Sequence, residues 1–333
     1  MKNIGLVGLG FMGRTHLQAY KHIDTAHVAA ICTRNAVTDE EVLSEYDVSF
    51  VTDYEALLCS EDIDIIDICM PTYLHEEYIL KAAKARKHII CEKPLSLTVE
   101  SAERIVREVN QHNVRLYVGH VLRFWPEYEM IKAYCMSEQL KGLEVVHAKR
   151  LGQAPRWSNW FQYPEKSGGA LFDLHIHDID FVTYLLGRVE KVYSVGKQNS
   201  FGAWDHVMTT LTFQNGCKAF VEASQRMPTG FPFTMSFRGQ AAQATIEFEM
   251  LAGENIEQTE QSTNHLTFYK NTKKSSIQAP PGDAFRRELS YFIDCIDKNQ
   301  ENQIIPLDDV LYTLRILEAI QHSLEVGGEV PIT

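Results

Sequence analysis

The chain has 333 residues, enough for one large or two ordinary domains, with 32 basic and 44 acidic side chains and a formal net charge of −12. Nucleic acid is not expected as a partner, because an acidic chain repels phosphate backbones. No apolar run approaches the roughly 20 residues that span a bilayer and the N-terminus lacks a signal peptide's features, so we expect a cytoplasmic protein with no membrane partner.

The first third of the chain alternates short apolar runs with helix-period segments. Strands are predicted at residues 3–7, 27–32, 49–52, 63–70, 88–91 and 116–119. This βαβ rhythm is typical of a doubly wound parallel sheet, the Rossmann type, whose strands are covered by helices on both faces. We expect such an NAD(P)-binding domain over residues 1–121.

The rhythm changes after residue 121. Helices are predicted at 127–137 and 175–186, around a strand at 144–151. Consecutive strands follow at 191–198, 206–213, 218–224, 234–238, 245–249 and 266–270, then a loop at 273–282 and helices at 284–298 and 308–326. Strands with almost no helix between them favour a large open, mostly antiparallel sheet. The second domain, residues 122–333, is therefore predicted to be α+β.

The seven cysteines form no CxxC pair. A disulfide scaffold and a zinc ribbon are therefore unsupported. Several cysteines, such as Cys32, Cys69 and Cys91, lie in apolar strand-like runs, where a reduced cysteine behaves as a small buried hydrophobe.

A GxGxxG sequence at residues 8–13 directly follows the first strand and opens a helix. In this context Gly8 permits the tight turn, Gly10 lets the backbone approach a pyrophosphate, and Gly13 allows close packing of helix on strand. The helix N-terminus then faces the anion. The motif predicts a dinucleotide site.

The end of the second strand bears on the choice of cofactor. NAD-binding versions of the motif carry an acidic residue there that holds the ribose hydroxyls, whereas this chain has Thr33 and Arg34. No acid repels a 2′-phosphate, and a guanidinium can bind one bidentately. NADP(H) is favoured and NAD(H) remains possible. The alternative is that Arg34 is a solvated loop residue or stacks on adenine.

Two further segments follow the fourth and fifth strands, where the carboxyl ends of parallel strands form a ligand crevice. The first contains Met70, Pro71 and His75, and the second contains Glu92 and Lys93. A lysine at this place is well positioned to meet a substrate hydroxyl beside a nicotinamide. An isolated Glu-Lys-Pro is equally consistent with a surface turn.

Residues 173–180 contain two histidines and three aspartates. In a helix, Asp173 and His177 project from one face, so a carboxylate and an imidazole can converge on one small molecule. Histidine is the side chain best suited to accept and return a proton near neutral pH. His175 and Asp178 point elsewhere, so no metal site is predicted.

The GxGxxG turn, Glu92-Lys93-Pro94, residues 119–124 and residues 168–177 together resemble the glucose-fructose oxidoreductase / inositol dehydrogenase (Gfo/Idh/MocA) family over the whole chain. The resemblance implies that Lys93 is the active-site lysine, His177 the proton acceptor, and Asp173 the carboxylate that orients the histidine. The predicted cofactor-binding residues are Gly8, Gly10, Phe11, Met12, Gly13, Thr33, Arg34, Met70, Pro71, His75, Glu92, Lys93 and Arg123. The predicted substrate-binding residues are Lys93, Arg123, Trp160, Asp173 and His177, of which Trp160 is equally consistent with a packing role.

The family resemblance implies hydride transfer between nicotinamide and a secondary alcohol or ketone of a sugar, inositol or related polyol. His177 would take the hydroxyl proton as the hydride leaves the carbinol carbon. Two alternatives remain open: a non-catalytic NAD(P)-binding regulator, and an NAD-dependent glycosidase. The resemblance also assigns substrate binding and oligomerisation to residues 122–333. Relatives pack the large sheet against another subunit, which implies a homodimer or homotetramer.

Overall fold

The computed structural model describes residues 1–36, 48–155, 158–253 and 262–332. The chain divides into two compact units: unit 1 is residues 1–124 with 282–311, and unit 2 is residues 125–281 with 312–333. The domain boundary predicted after residue 121 lies close to residue 124, where the chain first passes from unit 1 to unit 2. Residues 282–311, however, were assigned by sequence to the second domain and belong to unit 1. Their helix packs there through aromatic contacts, including Phe292 on Tyr117 at 5.0 Å between ring centroids.

Unit 1 contains a six-stranded parallel sheet in the order β3-β2-β1-β4-β5-β6. Its strands are β1 (Lys2–Val7), β2 (Ala26–Cys32), β3 (Ser49–Val51), β4 (Ile65–Ile68), β5 (His88–Glu92) and β6 (Leu116–Gly119). Every residue of β4 is buried, as expected for a strand covered on both faces. The predicted doubly wound parallel sheet is confirmed.

Helices cover this sheet. They are Phe11–Tyr20, Tyr54–Cys59, His75–Lys84, Val99–Gln111 and Ala284–Asp297, with 3₁₀ turns at Thr72–Leu74 and Val121–Phe124. Side chains in the sequence define where helices start: Thr98 accepts from the Ser101 N–H at 3.2 Å, and Asp283 accepts from the Arg286 N–H at 2.6 Å. Each cap satisfies a backbone donor that the first helical turn leaves unpaired.

Unit 2 contains a nine-stranded sheet in the order β14-β13-β12-β11-β7-β10-β9-β8-β15. Its strands are β7 (Leu143–Leu151), β8 (Val189–Gln198), β9 (Trp204–Phe213), β10 (Lys218–Ser224), β11 (Thr234–Ala241), β12 (Ala244–Leu251), β13 (Thr263–Lys270), β14 (Lys273–Ile277) and β15 (Val330–Pro331). The sheet is mostly antiparallel, which confirms the prediction, although β7 and β10 pair in parallel.

One strand of this sheet was predicted to be a loop. Residues 273–277 form β14, which pairs with β13 through a hairpin turn at Asn271 and Thr272, both with positive φ. Most side chains of β14 are exposed, so the sequence shows no apolar alternation there. An edge strand with exposed lysines is a common protection against pairing with another chain.

The helices of unit 2 are Pro126–Met136, Pro164–Ser167 and Ile176–Leu186, together with Leu307–Val326, which begins in unit 1. The Tyr128 ring meets Phe181 edge-on at 4.7 Å and Phe248 at 5.4 Å, joining two helices to one face of the sheet. Across the described ranges, no helix is both long and apolar enough to cross a membrane.

The opposite face of the sheet carries exposed apolar side chains on β8, β9 and β10. Tyr193, Val195, Met208 and Phe220 are 41–48% exposed. Val195 and Met208 are directly paired across strands, and Tyr193 and Phe220 both pair with Thr210, so the four share one face. We call these four residues the open-face patch.

Candidate active site

The glycine turn after β1 is closely packed at two of its three glycines. Gly8 has a φ of +95°, and a Cβ there would lie 2.5 Å from the Cys69 carbonyl oxygen. A Cβ on Gly13 would lie 2.0 Å from the Gly8 carbonyl oxygen. Neither position has room for a side chain. Glycine at both positions therefore allows the tight turn from β1 into the following helix.

The third glycine, Gly10, is different. It is exposed, and a Cβ there would meet nothing within 4 Å. It caps the helix Phe11–Tyr20 without a side-chain hydrogen bond. The first backbone N–H groups of this helix therefore have no capping side chain, and such groups attract phosphate. This open, donor-rich turn fits the pyrophosphate of a dinucleotide.

The end of β2 lies at the same edge of the sheet. The Thr33 N–H donates to the Val51 carbonyl at 3.0 Å, and its hydroxyl donates to the Asn35 carbonyl at 2.8 Å. The Arg34 side chain is exposed. The threonine thus shapes the loop, while the guanidinium has the exposure that contact with a ribose or 2′-phosphate needs.

The ends of β4 and β5 are joined by His75, which is fully buried. Its Nδ1 lies 2.9 Å from the Pro94 carbonyl oxygen and its Nε2 lies 2.8 Å from the Met70 carbonyl oxygen. Burial lowers the pKa of this histidine. The ring supports the two turns. Its direct contact with a cofactor, and that of the partly exposed Met70 and Pro71, stay predictions.

Lys93 follows β5 and is partly exposed, whereas Glu92 before it is 6% exposed. The Lys93 N–H donates to Glu92 Oε2 at 3.1 Å. Because β1, β2, β4 and β5 are parallel, their carboxyl ends meet at one edge. Lys93 therefore shares an edge of unit 1 with the open turn at Gly10 and with Arg34.

Arg123 is buried and 4% exposed. One guanidinium nitrogen donates to the Ile304 carbonyl and to Asp309 Oδ2, each at 2.7 Å. These contacts tie the 3₁₀ turn Val121–Phe124 to the returning segment of unit 1. The contact of Arg123 with cofactor or substrate stays a prediction.

In unit 2, Gly168 and Gly169 both have positive φ, and a Cβ on Gly168 would lie 2.4 Å from the Phe172 ring. They lead into a π-helical turn, Leu171–His175, before the α-helix Ile176–Leu186. The helix predicted from residue 175 thus begins with a wider turn, which places Asp173 before the α-helix and His177 within its first turn.

Burial separates the polar residues of this segment. Asp173 and His177 are partly exposed, whereas His175 and Asp178 are buried. Asp173 Oδ2 accepts a hydrogen bond from Gln225 Nε2 at 2.7 Å. Gln225 lies 52 residues further along the chain, after β10. No signal in the sequence links Gln225 to Asp173, so sequence patterns do not predict it as a site residue.

The two buried members belong to the core. His175 Nε2 lies 2.9 Å from Thr209 Oγ1, and burial lowers the pKa of His175 to about 3. Asp178 binds the Arg150 guanidinium at 3.0 and 3.3 Å. Burial raises the pKa of Asp178, although Arg150 opposes the shift. Both residues support the helix that carries His177.

Trp160, the predicted aromatic residue at the substrate site, is partly exposed and stacks on Phe161 with ring centroids 4.0 Å apart. This contact agrees with the packing role that was the alternative for Trp160. Its contact with substrate stays a prediction, and the neighbouring Trp157 lies outside the described residues.

Unit 1 also contains a buried polar cluster that no sequence pattern predicts. The potential ligand atoms of His16, Asp67 and Cys69 lie within 4.8 Å of one another. His16 Nδ1 and Asp67 Oδ2 are 2.8 Å apart, whereas two ligands on a tetrahedral zinc ion lie about 3.4 Å apart. The spacing favours a hydrogen-bonded network over a metal site. The residues come from two distant segments, so spacing in the sequence gave no signal.

Comparisons with known proteins agree with this arrangement. The model of the oxidoreductase family with an NAD-binding Rossmann fold matches residues 2–120. The model of the GFO/IDH/MocA C-terminal domain matches residues 129–245.

The uncharacterized oxidoreductase YrbE of Bacillus subtilis is 30% identical over 98% of this chain and 96% of its own. The myo-inositol 2-dehydrogenase of Thermotoga maritima is 26% identical over 97% of this chain and 96% of its own. A solved structure of levoglucosan dehydrogenase, in complex with NADH and L-sorbose, has the same fold. Its TM-score is 0.81 at 24% identity, and the match covers 100% of this chain and 99% of that one. With both family models matched in order along the chain, this protein belongs to the GFO/IDH/MocA family of oxidoreductases.

Proposed function

We propose that the protein is an NAD(P)-dependent dehydrogenase that acts on a secondary alcohol, or the corresponding ketone, of a sugar, cyclitol or related polyol. The observation that carries the proposal is in unit 1, where the partly exposed Lys93 shares a sheet edge with the open turn at Gly10. The inositol dehydrogenase among the relatives supports the substrate class.

Each catalytic role follows from the chemistry of the side chain. When bound, the nicotinamide supplies the hydride chemistry. The Lys93 ammonium donates a hydrogen bond to the substrate oxygen and stabilises negative charge that develops on it. His177 accepts the hydroxyl proton. Gln225 donates a hydrogen bond to the Asp173 carboxylate at 2.7 Å and holds it in one orientation. From there the carboxylate orients His177 and contacts the substrate.

We propose NADP(H) as the favoured cofactor, with NAD(H) as the alternative. The exposed Arg34 and the absence of an acid among the described residues that directly follow β2, 33–36, support this preference. Isothermal titration with both cofactors tests it. Arg34→Ala should weaken NADP(H) binding by about tenfold and leave NAD(H) binding nearly unchanged, and equal losses for both cofactors would contradict the assignment.

A second copy of this chain is the proposed partner, as a homodimer or homotetramer. The open-face patch supports this, because apolar side chains clustered on one sheet face mark association surfaces. A cytoplasmic location and the lack of nucleic-acid or membrane partners stay predictions from composition.

The proposed activity is tested by a screen of inositols, aldoses and ketoses with both cofactors, followed at the nicotinamide absorbance band. Lys93→Met and His177→Ala should each lower kcat by about a hundredfold or more while cofactor affinity stays nearly unchanged. Lys84→Met, which alters an exposed lysine on the helix His75–Lys84, is the matched control and should keep full activity.

The double variant Lys93→Met/His177→Ala tests whether the two residues act in one step. Groups that act as a unit show strongly non-additive losses, so the double variant should lose little more than either single variant. Near-normal turnover in a single variant would refute its assigned role. Cofactor binding without turnover of any compound would instead favour the regulator. The dehydrogenase among the relatives does not favour the glycosidase.

A further inference from the structure

Three side chains from different elements of unit 1 meet beneath the sheet edge that carries Lys93. His16 lies on the helix that follows the glycine turn, Asp67 lies in β4, and Glu92 ends β5. His16 and Asp67 have no exposed surface, and Glu92 is 6% exposed. Charged groups are rarely buried unless they are paired. The contacts among these three side chains therefore account for their burial.

The imidazole of His16 bridges the two carboxylates. Its Nδ1 lies 2.8 Å from Asp67 Oδ2, and its Nε2 lies 3.1 Å from Glu92 Oε1. Each ring nitrogen thus faces a carboxylate oxygen, an arrangement that favours the doubly protonated imidazolium, which donates from both nitrogens. Burial opposes the charge, but Asp67 outweighs it and holds the pKa of His16 well above its ordinary value.

The second oxygen of Glu92 continues the chain of contacts. Glu92 Oε2 accepts the backbone N–H of Lys93 at 3.1 Å. On the other side of the lysine, the Pro94 carbonyl oxygen lies 2.9 Å from the ring of His75. The backbone on both sides of Lys93 is thus held by a buried polar contact, and the lysine side chain starts from a fixed point.

The space around the Glu92 carboxylate is limited by the next strand. In the ladder Glu92 faces Gly119, and a Cβ on Gly119 would lie 3.3 Å from Glu92 Oε1. The carboxylate therefore lies over a residue without a side chain, in a space that a larger residue would narrow. His16 also contacts the Phe285 ring at 6.1 Å between centroids, which limits movement of the imidazole.

We infer that His16 is a positioning residue for Lys93, which it holds in place through the carboxylate of Glu92. The chain of contacts also joins the helix behind the glycine turn to the backbone of the lysine, so the cofactor-binding turn and the catalytic ammonium keep a fixed relation within unit 1. Misplacement by about 1 Å costs as much as a hundredfold in rate. The inference rests on the proposed function of Lys93.

The experiment compares His16→Gln and Glu92→Gln with a matched control, Tyr20→Phe. The Tyr20 hydroxyl donates to the same oxygen, Asp67 Oδ2, at 2.8 Å, so the control removes a buried hydrogen bond of the cluster and leaves the path through Glu92 intact. Each variant is measured for kcat and KM with the best polyol, for cofactor Kd, and for melting temperature.

If His16 positions Lys93, both glutamine variants should lose about tenfold or more in kcat, and His16→Gln, which is not a predicted cofactor contact, should change cofactor Kd by less than about threefold. Tyr20→Phe should lose stability and keep kcat within about twofold of wild type. Should His16→Gln fail to fold, the nearly isosteric Glu92→Gln decides the question. Equal kcat in all three variants and wild type would overturn the inference.

A second readout does not depend on turnover. Reductive methylation of the cofactor-free protein, followed by peptide mass spectrometry, gives the reaction rate of Lys93 relative to the exposed Lys84. This ratio should change by about threefold or more in His16→Gln and Glu92→Gln and stay constant in Tyr20→Phe. A constant ratio in every variant would refute the positioning role. If wild type turns over no polyol, the proposed function fails, and the methylation ratio still decides whether His16 positions Lys93.

Discussion

Gly10 and Gly13 are three residues apart in one turn, yet alanine should have opposite effects at the two positions. At Gly10 the new methyl group meets nothing within 4 Å and the φ of −76° is ordinary for alanine. Folding is therefore unaffected, or stabilised by about 0.5 kcal/mol through the unfolded state. The methyl group instead occupies the open side of the turn, where a pyrophosphate would lie against the backbone.

At Gly13 the methyl carbon would be 2.0 Å from the Gly8 carbonyl oxygen, and contact distances for such a pair are about 3.3 Å. The turn must open by about 1 Å. Overpacking of this kind costs about 1–3 kcal/mol or more, which lowers the melting temperature of a unit of this size by roughly 3–10 °C.

Thermal unfolding and cofactor titration separate the two outcomes. We expect Gly10→Ala to melt within about 2 °C of wild type and to bind NADP(H) and NAD(H) at least about tenfold more weakly. Gly13→Ala should melt clearly lower. If Gly10→Ala kept full cofactor affinity, the pyrophosphate would not lie over this turn, and the placement of the cofactor would be wrong.

Three further predictions concern unit 2. His175 is buried, and its pKa of about 3 is below the value of about 6.5 in the unfolded chain. Because the unfolded chain therefore binds a proton more readily, the free energy of unfolding is highest above pH 6.5 and falls as the pH drops toward 3. Between pH 7.5 and 5 this loss is about 2 kcal/mol. Urea unfolding at the two pH values should show a smaller loss of unfolding free energy in His175→Gln than in wild type. Equal losses in the two proteins would contradict the burial argument. Asp178→Asn leaves the buried Arg150 without a counter-charge and should cost about 3–5 kcal/mol, most of it recovered in Arg150→Met/Asp178→Leu; a single variant as stable as wild type would show that the pair is not needed. Met208→Glu and Val195→Glu together place charges at a cross-strand pair of the open-face patch, and light scattering should show a smaller oligomer, whereas an unchanged mass would move the association surface elsewhere.

Sequence patterns predicted most of the fold because the elements of unit 1 are strongly marked. Strands such as β4 are buried throughout and apolar except for Asp67, and Gly8 and Gly13 of the first turn leave no room for a side chain. The confirmed parallel sheet and mostly antiparallel sheet follow from such local signals. β14 was missed because an exposed edge strand has no apolar alternation, and β15 because two residues carry no pattern.

The candidate site was predicted less completely because its supporting contacts are long-range. Asp173 is held by Gln225 from 52 residues away, and His16 meets Glu92 from 76 residues away. Neither pair has a spacing that the sequence could reveal. Burial was equally hidden: only the fold shows that His75 lies between two turns and that Arg123 is bound to Asp309. Residue types thus identified candidates, and tertiary packing determined which of them support others.

The return of residues 282–311 to unit 1 has a consequence for the order in which the protein can mature during synthesis. The first segment of unit 1 ends at residue 124, and its last segment ends at residue 311. At about 5–20 residues per second, a ribosome needs roughly 10–40 s to make the chain between these points. Until then the surfaces that receive the returning helix, such as the ring of Tyr117, have no cover. The nascent Rossmann segment, residues 1–124, therefore lacks one of its covering helices until residues 282–311 have been translated. A fragment ending at residue 124 would keep that apolar surface permanently exposed.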